Sequence, residues 1–91
     1  MNQEVQIKAT DEELKGRYVN LAMINHTKEE FAFDFINLMP PQGQLLSRIF
    51  MSPGHAKRFH AALEDNLKKY EKEFGKIEES EPVQKEIGFT K

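Results

Sequence analysis

Apolar and polar residues alternate with the period of a strand in four stretches of the chain, and one long stretch repeats with the period of a helix. "EVQIKA" sets Val5, Ile7 and Ala9 against Gln6 and Lys8, which predicts a short, polar-backed edge strand. "TDEELKG" reads as a polar connection closed by Gly16. "RYVNLAMINH" has strand length and β-forming residues. "TKEE" supplies a turn, and "FAFDFINLM" follows as the third strand. "PPQG" breaks the pattern with two prolines and a glycine, a hairpin signal, and "QLLSRIFM" is the fourth strand.

The switch to helix comes at "SPGHAKRFHAALEDNLKKYEKEFG". Ser52 suits the N-cap, and Pro53 suits the first helical position, where its missing N–H costs nothing. Ala56, Phe59, Leu63, Leu67, Tyr70 and Phe74 recur at helical spacing. Glu64 with Lys68 and Asp65 with Lys69 make favourable i,i+4 pairs on the outer face. Gly75 is the C-terminal stop, and such a helix runs about 33 Å. "KIEESEPVQKEIGFTK" is charged and irregular, and reads as a mobile tail.

The fold expected is α+β: an antiparallel meander of three to four strands, then one long C-terminal helix packed on one sheet face. A single domain spans 1–75, with its core over about 17–75, and the tail spans 76–91. Period-two alternation assigns Val19, Leu21, Met23, Phe31, Phe33, Phe35, Leu45, Ser47, Ile49 and Met51 to the face beneath the helix. The opposite face takes Tyr18, Asn20, Ala22, Ile24, Ala32, Asp34, Ile36, Leu38, Leu46, Arg48 and Phe50. That face is too apolar for a solvated surface. Its expected cover is a second copy of the chain, packed sheet on sheet or edge to edge with helices outside, to give a homodimer. Asn20, Asp34, Arg48, Ile36, Leu46 and Phe50 are the candidate interface residues. Asp34 and Arg48 pair across strands if the hairpin register sets them opposite.

Composition narrows the chemistry. Ninety-one residues make one small domain whose core is limited, so assembly is a natural source of added stability. A net charge of -2 excludes a strongly basic nucleic-acid binder. The absence of cysteine excludes disulfides, a thiolate nucleophile and a Cys-based zinc site, and suits a reducing cytoplasm. No apolar run reaches the roughly 18 residues of a membrane span, and the first residues lack an apolar signal core. A cytoplasmic protein without membrane contact is expected.

Each candidate for chemistry has a plainer structural reading. Asp34 among apolar neighbours suits an acid of raised pKa, but a partner such as Arg48, Asn20 or Tyr18 would make it structural, and that reading is favoured. His55 and His60 are five apart, so they do not form an i,i+4 metal pair, and His26 lies at a turn. "SPGHAKR" is the best anion candidate, through Ser52, His55, Lys57 and Arg58 at a helix start. Its plainer reading is a capped helix with solvated cations. No nucleophile, base and orienting group assemble from Ser47, Ser52 or Ser80, and no Gly-rich phosphate loop exists. The sequence predicts neither an enzyme nor a cofactor or metal.

"YVN", "HTKEEFAFDF", "SPGHAKR" and "ALEDNLKKYEKEFG" occur in order between Tyr18 and Gly75. In this respect the chain resembles a family of small prokaryotic proteins, domain-of-unknown-function family 3467. The family's pattern falls on Tyr18, Asn20, His26, Asp34, Arg48, Ser52, Pro53 and His55, among others. The resemblance implies a cytoplasmic protein and carries no activity, cofactor or catalytic residue. The leading functional expectation is a non-catalytic homodimer that binds protein through exposed sheet and helix surfaces. A fold-level analogy to chaperones that hold unfolded chains on aromatic grooves points the same way. The alternative is a nucleic-acid-associated regulator that binds single strands on the sheet or phosphates at "SPGHAKR".

Overall fold

The computed structural model describes residues 4–79 and 87–91. It contains a short helix α1 (Asp11–Lys15), strands β1 (Leu21–His26), β2 (Phe31–Met39) and β3 (Gln42–Met51), and a long helix α2 (Pro53–Phe74). The strands form an antiparallel meander in the order β1-β2-β3. The chain divides into two compact units, Met1–Lys57 and Arg58–Lys91.

The N-terminal segment corrects two expectations. "EVQIKA" forms no strand: Val5 and Ile7 are 78% and 90% exposed. A strand is stabilised by its neighbours, and alternation alone supplies none. "TDEELKG" is a helical turn, not a bare connection. Thr10 caps α1, its hydroxyl accepting from Glu13 N–H at 3.2 Å. The Glu13 carboxylate accepts from Thr10 N–H at 3.0 Å. This reciprocal capping box is written in the spacing of Thr10 and Glu13. Gly16 ends the turn at a positive φ of 74°.

β1 starts at Leu21, later than the expected stretch, because Asn20 closes the ladder with its side chain. Its Oδ1 accepts from Leu38 N–H at 2.7 Å and its Nδ2 donates to Leu38 O at 2.9 Å. The carboxamide thus satisfies both main-chain groups of Leu38, as an opposing strand residue does. Asn37 Nδ2 donates to Tyr18 O at 3.3 Å, and Arg17 Nη1 to Leu46 O at 2.8 Å. These bonds fasten the incoming chain to the sheet.

Register overturns part of the face assignment. His26 opposes Phe31 across the loop 27–30, and the ladder runs on through Ile24↔Phe33, Ala22↔Phe35 and Leu21↔Ile36. An even-length loop pairs positions of opposite parity. Ala22 and Ile24 therefore share the phenylalanine face, and Leu21 and Met23 share the Asp34 face. The expectation had these inverted, since a one-residue slip exchanges the faces of a strand.

The second hairpin turns at Pro40–Pro41, with Met39 opposite Gln42. Its two-residue turn sets the same opposite parity through Ile36↔Leu45. The partners then jump to Phe35↔Ser47 and Asp34↔Arg48, so Leu46 is the extra residue of a β-bulge. The bulge restores the parity that the alternation pattern anticipates. One consequence corrects the interface set: Leu45, not Leu46, lies opposite Ile36.

The buried positions concentrate on the central strand. Phe33 and Ile36 are 5% and 4% exposed, and Asp34 is 4% exposed between them. Phe33 and Phe35, two apart on one face, stack at 6.2 Å between ring centroids.

α2 matches its expected bounds. Ser52 Oγ accepts from His55 N–H at 3.1 Å, the N-cap bond. Gly75, at φ 98°, donates its N–H to Glu71 O at 2.9 Å. The expected pairs form, Glu64 with Lys68 at 3.3 Å and Asp65 with Lys69 at 2.9 Å. No residue of α2 is buried. Of the expected tail, residues 80–86 lie outside the described residues.

Candidate functional site

The centre of the candidate site is an ion pair across β2 and β3. Arg48 Nε donates to Asp34 Oδ1 at 2.6 Å and Arg48 Nη2 donates to Asp34 Oδ2 at 2.9 Å. The Asp34 side chain is 6% exposed and that of Arg48 is 47% exposed. Such a two-pronged contact matches the planar guanidinium to the planar carboxylate. The hydrogen bonds from Arg48 hold the Asp34 carboxyl below its ordinary pKa, against an opposing effect of burial. The same bonds and the adjacent negative charge raise Arg48. A carboxyl held ionised in this way is a poor general acid near neutrality, so its geometry is that of a structural pair.

Around the pair, register supplies the neighbours. Met23 opposes Asp34 from β1, while Ala32 opposes Phe50 and Ile36 opposes Leu45. Phe50 is 57% exposed and Leu45 is 40% exposed on this side, while Ile36 is buried. Leu46 is half-buried at the bulge, where its carbonyl takes the bond from Arg17. Asn20 serves the ladder end through Leu38 rather than the ion pair. Of the six candidates, Asp34, Arg48, Ile36 and Phe50 share one face, and Asn20 and Leu46 have backbone roles beside it.

The opposite face also leaves apolar surface uncovered. Ile24 and Ile49 flank Phe33 from the two outer strands and are 57% and 42% exposed. His26 stacks on Phe31 at 5.2 Å, which accounts for its position at the strand end. Ile24 was assigned to the other face, and the loop parity was the signal that places it here. Nothing in the local sequence pattern marks Arg17. It borders a cleft of about 580 Å³ with Glu13, Lys15, Leu46 and Ser47.

The anion candidate loses most of its donors. Pro53 has no N–H, His55 N–H is bonded to Ser52 Oγ, and Ala56 N–H is bonded to Ser52 O at 2.9 Å. Ser52 is therefore a cap, and Lys57 and Arg58 follow it along the helix. Among the described residues, no three His, Cys, Asp or Glu gather where they would hold a metal ion. No described helix is long and apolar enough to cross a membrane.

The meander, the ion pair across its central strand and the exposed apolar side chains define a small α+β protein whose salient feature is uncovered surface. The chain belongs to the family described as protein of unknown function (DUF3467), whose model matches residues 1–79. No curated protein and no solved structure matches it.

Proposed function

We propose that the protein is a cytoplasmic, non-catalytic interaction module that assembles as a homodimer and binds other proteins through its apolar sheet surface. One observation carries this reading: among the described residues only Phe33, Ile36 and Asp34 are buried, while Ile24, Ile49, Phe50, Leu63, Tyr70 and Phe74 are at least two-fifths exposed. Domains this small have little core in reserve, and a chain that leaves its large apolar residues uncovered gains its stability by association. The fixed Asp34–Arg48 pair supports a structural use of the charges on the sheet. The cysteine-free composition suits a reducing compartment.

Light scattering over a concentration series tests the reading. A dimer across the micromolar range is expected, and a monomer at high micromolar concentration would sink it. The nucleic-acid alternative has less support, because two N–H groups of the helix start that would hold phosphate, those of His55 and Ala56, are bonded to Ser52.

A further inference from the structure

We infer that β1 is an open sheet edge on which β1 of a second copy docks antiparallel, joining two three-stranded sheets into one. The inference rests on the homodimer reading and assigns its contact to a strand.

The register shows which main-chain groups of β1 are spare. Thr27 N–H donates to Glu30 O at 2.9 Å, so Thr27 and Glu30 form a hydrogen-bonded pair at the end of the hairpin. Hydrogen-bonded and non-bonded pairs alternate along an antiparallel ladder. Asn25, Met23 and Leu21 therefore turn their N–H and C=O groups to Ala32, Asp34 and Ile36. The Leu38 main chain, bonded to the Asn20 carboxamide, keeps the same phase. Ala22, Ile24 and His26 turn their groups away from β2. Among the described residues, no hydrogen bond reaches these outward groups.

β1 also lacks the devices that keep a strand edge closed. Its sequence, LAMINH, has no lysine, arginine, carboxylate or proline, and its ladder to β2 is unbroken over its length. The other edge strand, β3, has such devices. It carries the bulge at Leu46 and the charge of Arg48, and Arg17 takes up the Leu46 carbonyl at 2.8 Å.

The strand is complementary to its own reverse. A two-fold axis normal to the sheet at Ile24 sets Ile24 opposite the second copy's Ile24, and Ala22 opposite its His26. Every outward donor and acceptor of these three residues then has a partner. Ile24 lies beside Phe33, and Phe33 beside Ile49. The axis keeps each face on its own side, so this apolar row runs on through the second copy's Ile24, Phe33 and Ile49. Small Ala22 receives His26, whose ring stacks on Phe31 at 5.2 Å. On the other face Met23 meets the second copy's neutral Asn25. Other axis positions lose bonds. Centred on Ala22, the pairing needs Asn20 N–H, which is already bonded to Ile36 O at 3.1 Å. Centred on His26, it runs past the strand end. A charged extended peptide from another protein would find no opposite charge on β1.

Hydrogen exchange on the unaltered protein tests the assignment. In the dimer, the N–H groups of Ala22, Ile24 and His26 are expected to exchange slowly, and to lose that protection on dilution to monomer. A dimer in which they exchange as freely as a loop puts the contact elsewhere and overturns the edge assignment, while the homodimer reading stands. A monomer at high micromolar concentration overturns both. Ile24→Pro removes an outward donor and spares the bonds to β2, as proline does on an edge strand. It is expected to lose the dimer in light scattering and to keep the sheet signal in circular dichroism. A dimeric Ile24→Pro variant would overturn the assignment. The chain has no cysteine, so introduced ones report the register. Met23→Cys and Asn25→Cys are expected to link when mixed under mild oxidation and to stay unlinked alone, since like positions stand two residues out of step. Self-linking of either as efficient as the mixed link would overturn the Ile24-centred pairing.

Discussion

Asp34 and Arg48 meet through both oxygens of the carboxylate, and they face each other because Leu46 stands outside the ladder as an extra residue in β3. With Leu46 paired in the ladder set by Pro40–Pro41, Ser47 would lie opposite Asp34 and Arg48 would turn to the other face. Deleting Leu46 lets Ser47 follow Leu45 directly and keeps Arg48 opposite Asp34, so the deletion variant is expected to unfold cooperatively, as followed by thermal circular dichroism, and a loss of cooperativity would contradict this register.

The same pair makes stability depend on acidity. The folded pKa of Asp34 is depressed, chiefly by the hydrogen bonds from Arg48. A depressed carboxyl contributes stability that is fully present above its unfolded pKa and is lost as pH falls through the folded one. Asp34→Asn is expected to be less stable than the unaltered protein at neutral pH. The difference should shrink as the solution is acidified below the ordinary carboxylate range. Urea melts at fixed protein concentration across acidic pH check this, and a difference independent of pH would contradict it.

Asn20 tests whether a side chain closes the ladder. It both donates to and accepts from Leu38, at 2.9 and 2.7 Å. Asn20→Ala is expected to cost about 1–2 kcal/mol, the net value of one or two such bonds. Asn20→Asp keeps the shape and the acceptor but faces Leu38 O with no donor, so it should not restore the loss. Faster hydrogen exchange at Leu38 N–H is the local readout.

The ends of α2 offer two smaller effects. Ser52→Ala removes the bond to His55 N–H and is expected to cost about 1 kcal/mol. Gly75→Ala places a Cβ at φ 98° and should cost a similar ~1 kcal/mol. Helical ellipticity and melting midpoint, compared at one protein concentration, measure both.

The long helix was legible because its signals are local: Ser52 and Pro53 at one end, Gly75 at the other, and the apolar repeat between. β2 was legible for the same reason, its bounds being set by "TKEE" and the two prolines. Non-local features were harder to read. β1 was placed on the wrong face because its register depends on the parity of loop 27–30 rather than on its own pattern. The Asp34–Arg48 pairing was anticipated only conditionally, since no residue type announces the bulge at Leu46. "EVQIKA" alternates like a strand, yet strand formation is decided by neighbours elsewhere in the chain. The capping box of Thr10 and Glu13 is readable in the sequence spacing, although the polar composition around it resembles that of a plain connection.

Both hairpin connections are even in length, and the bulge adds one residue to one of them. An insertion or deletion inside a strand exchanges inside for outside beyond it unless a bulge takes up the odd residue, as Leu46 does in β3. The bulge is thus a place where the length of chain between the turn and the ion pair can change by one without moving Arg48 from Asp34.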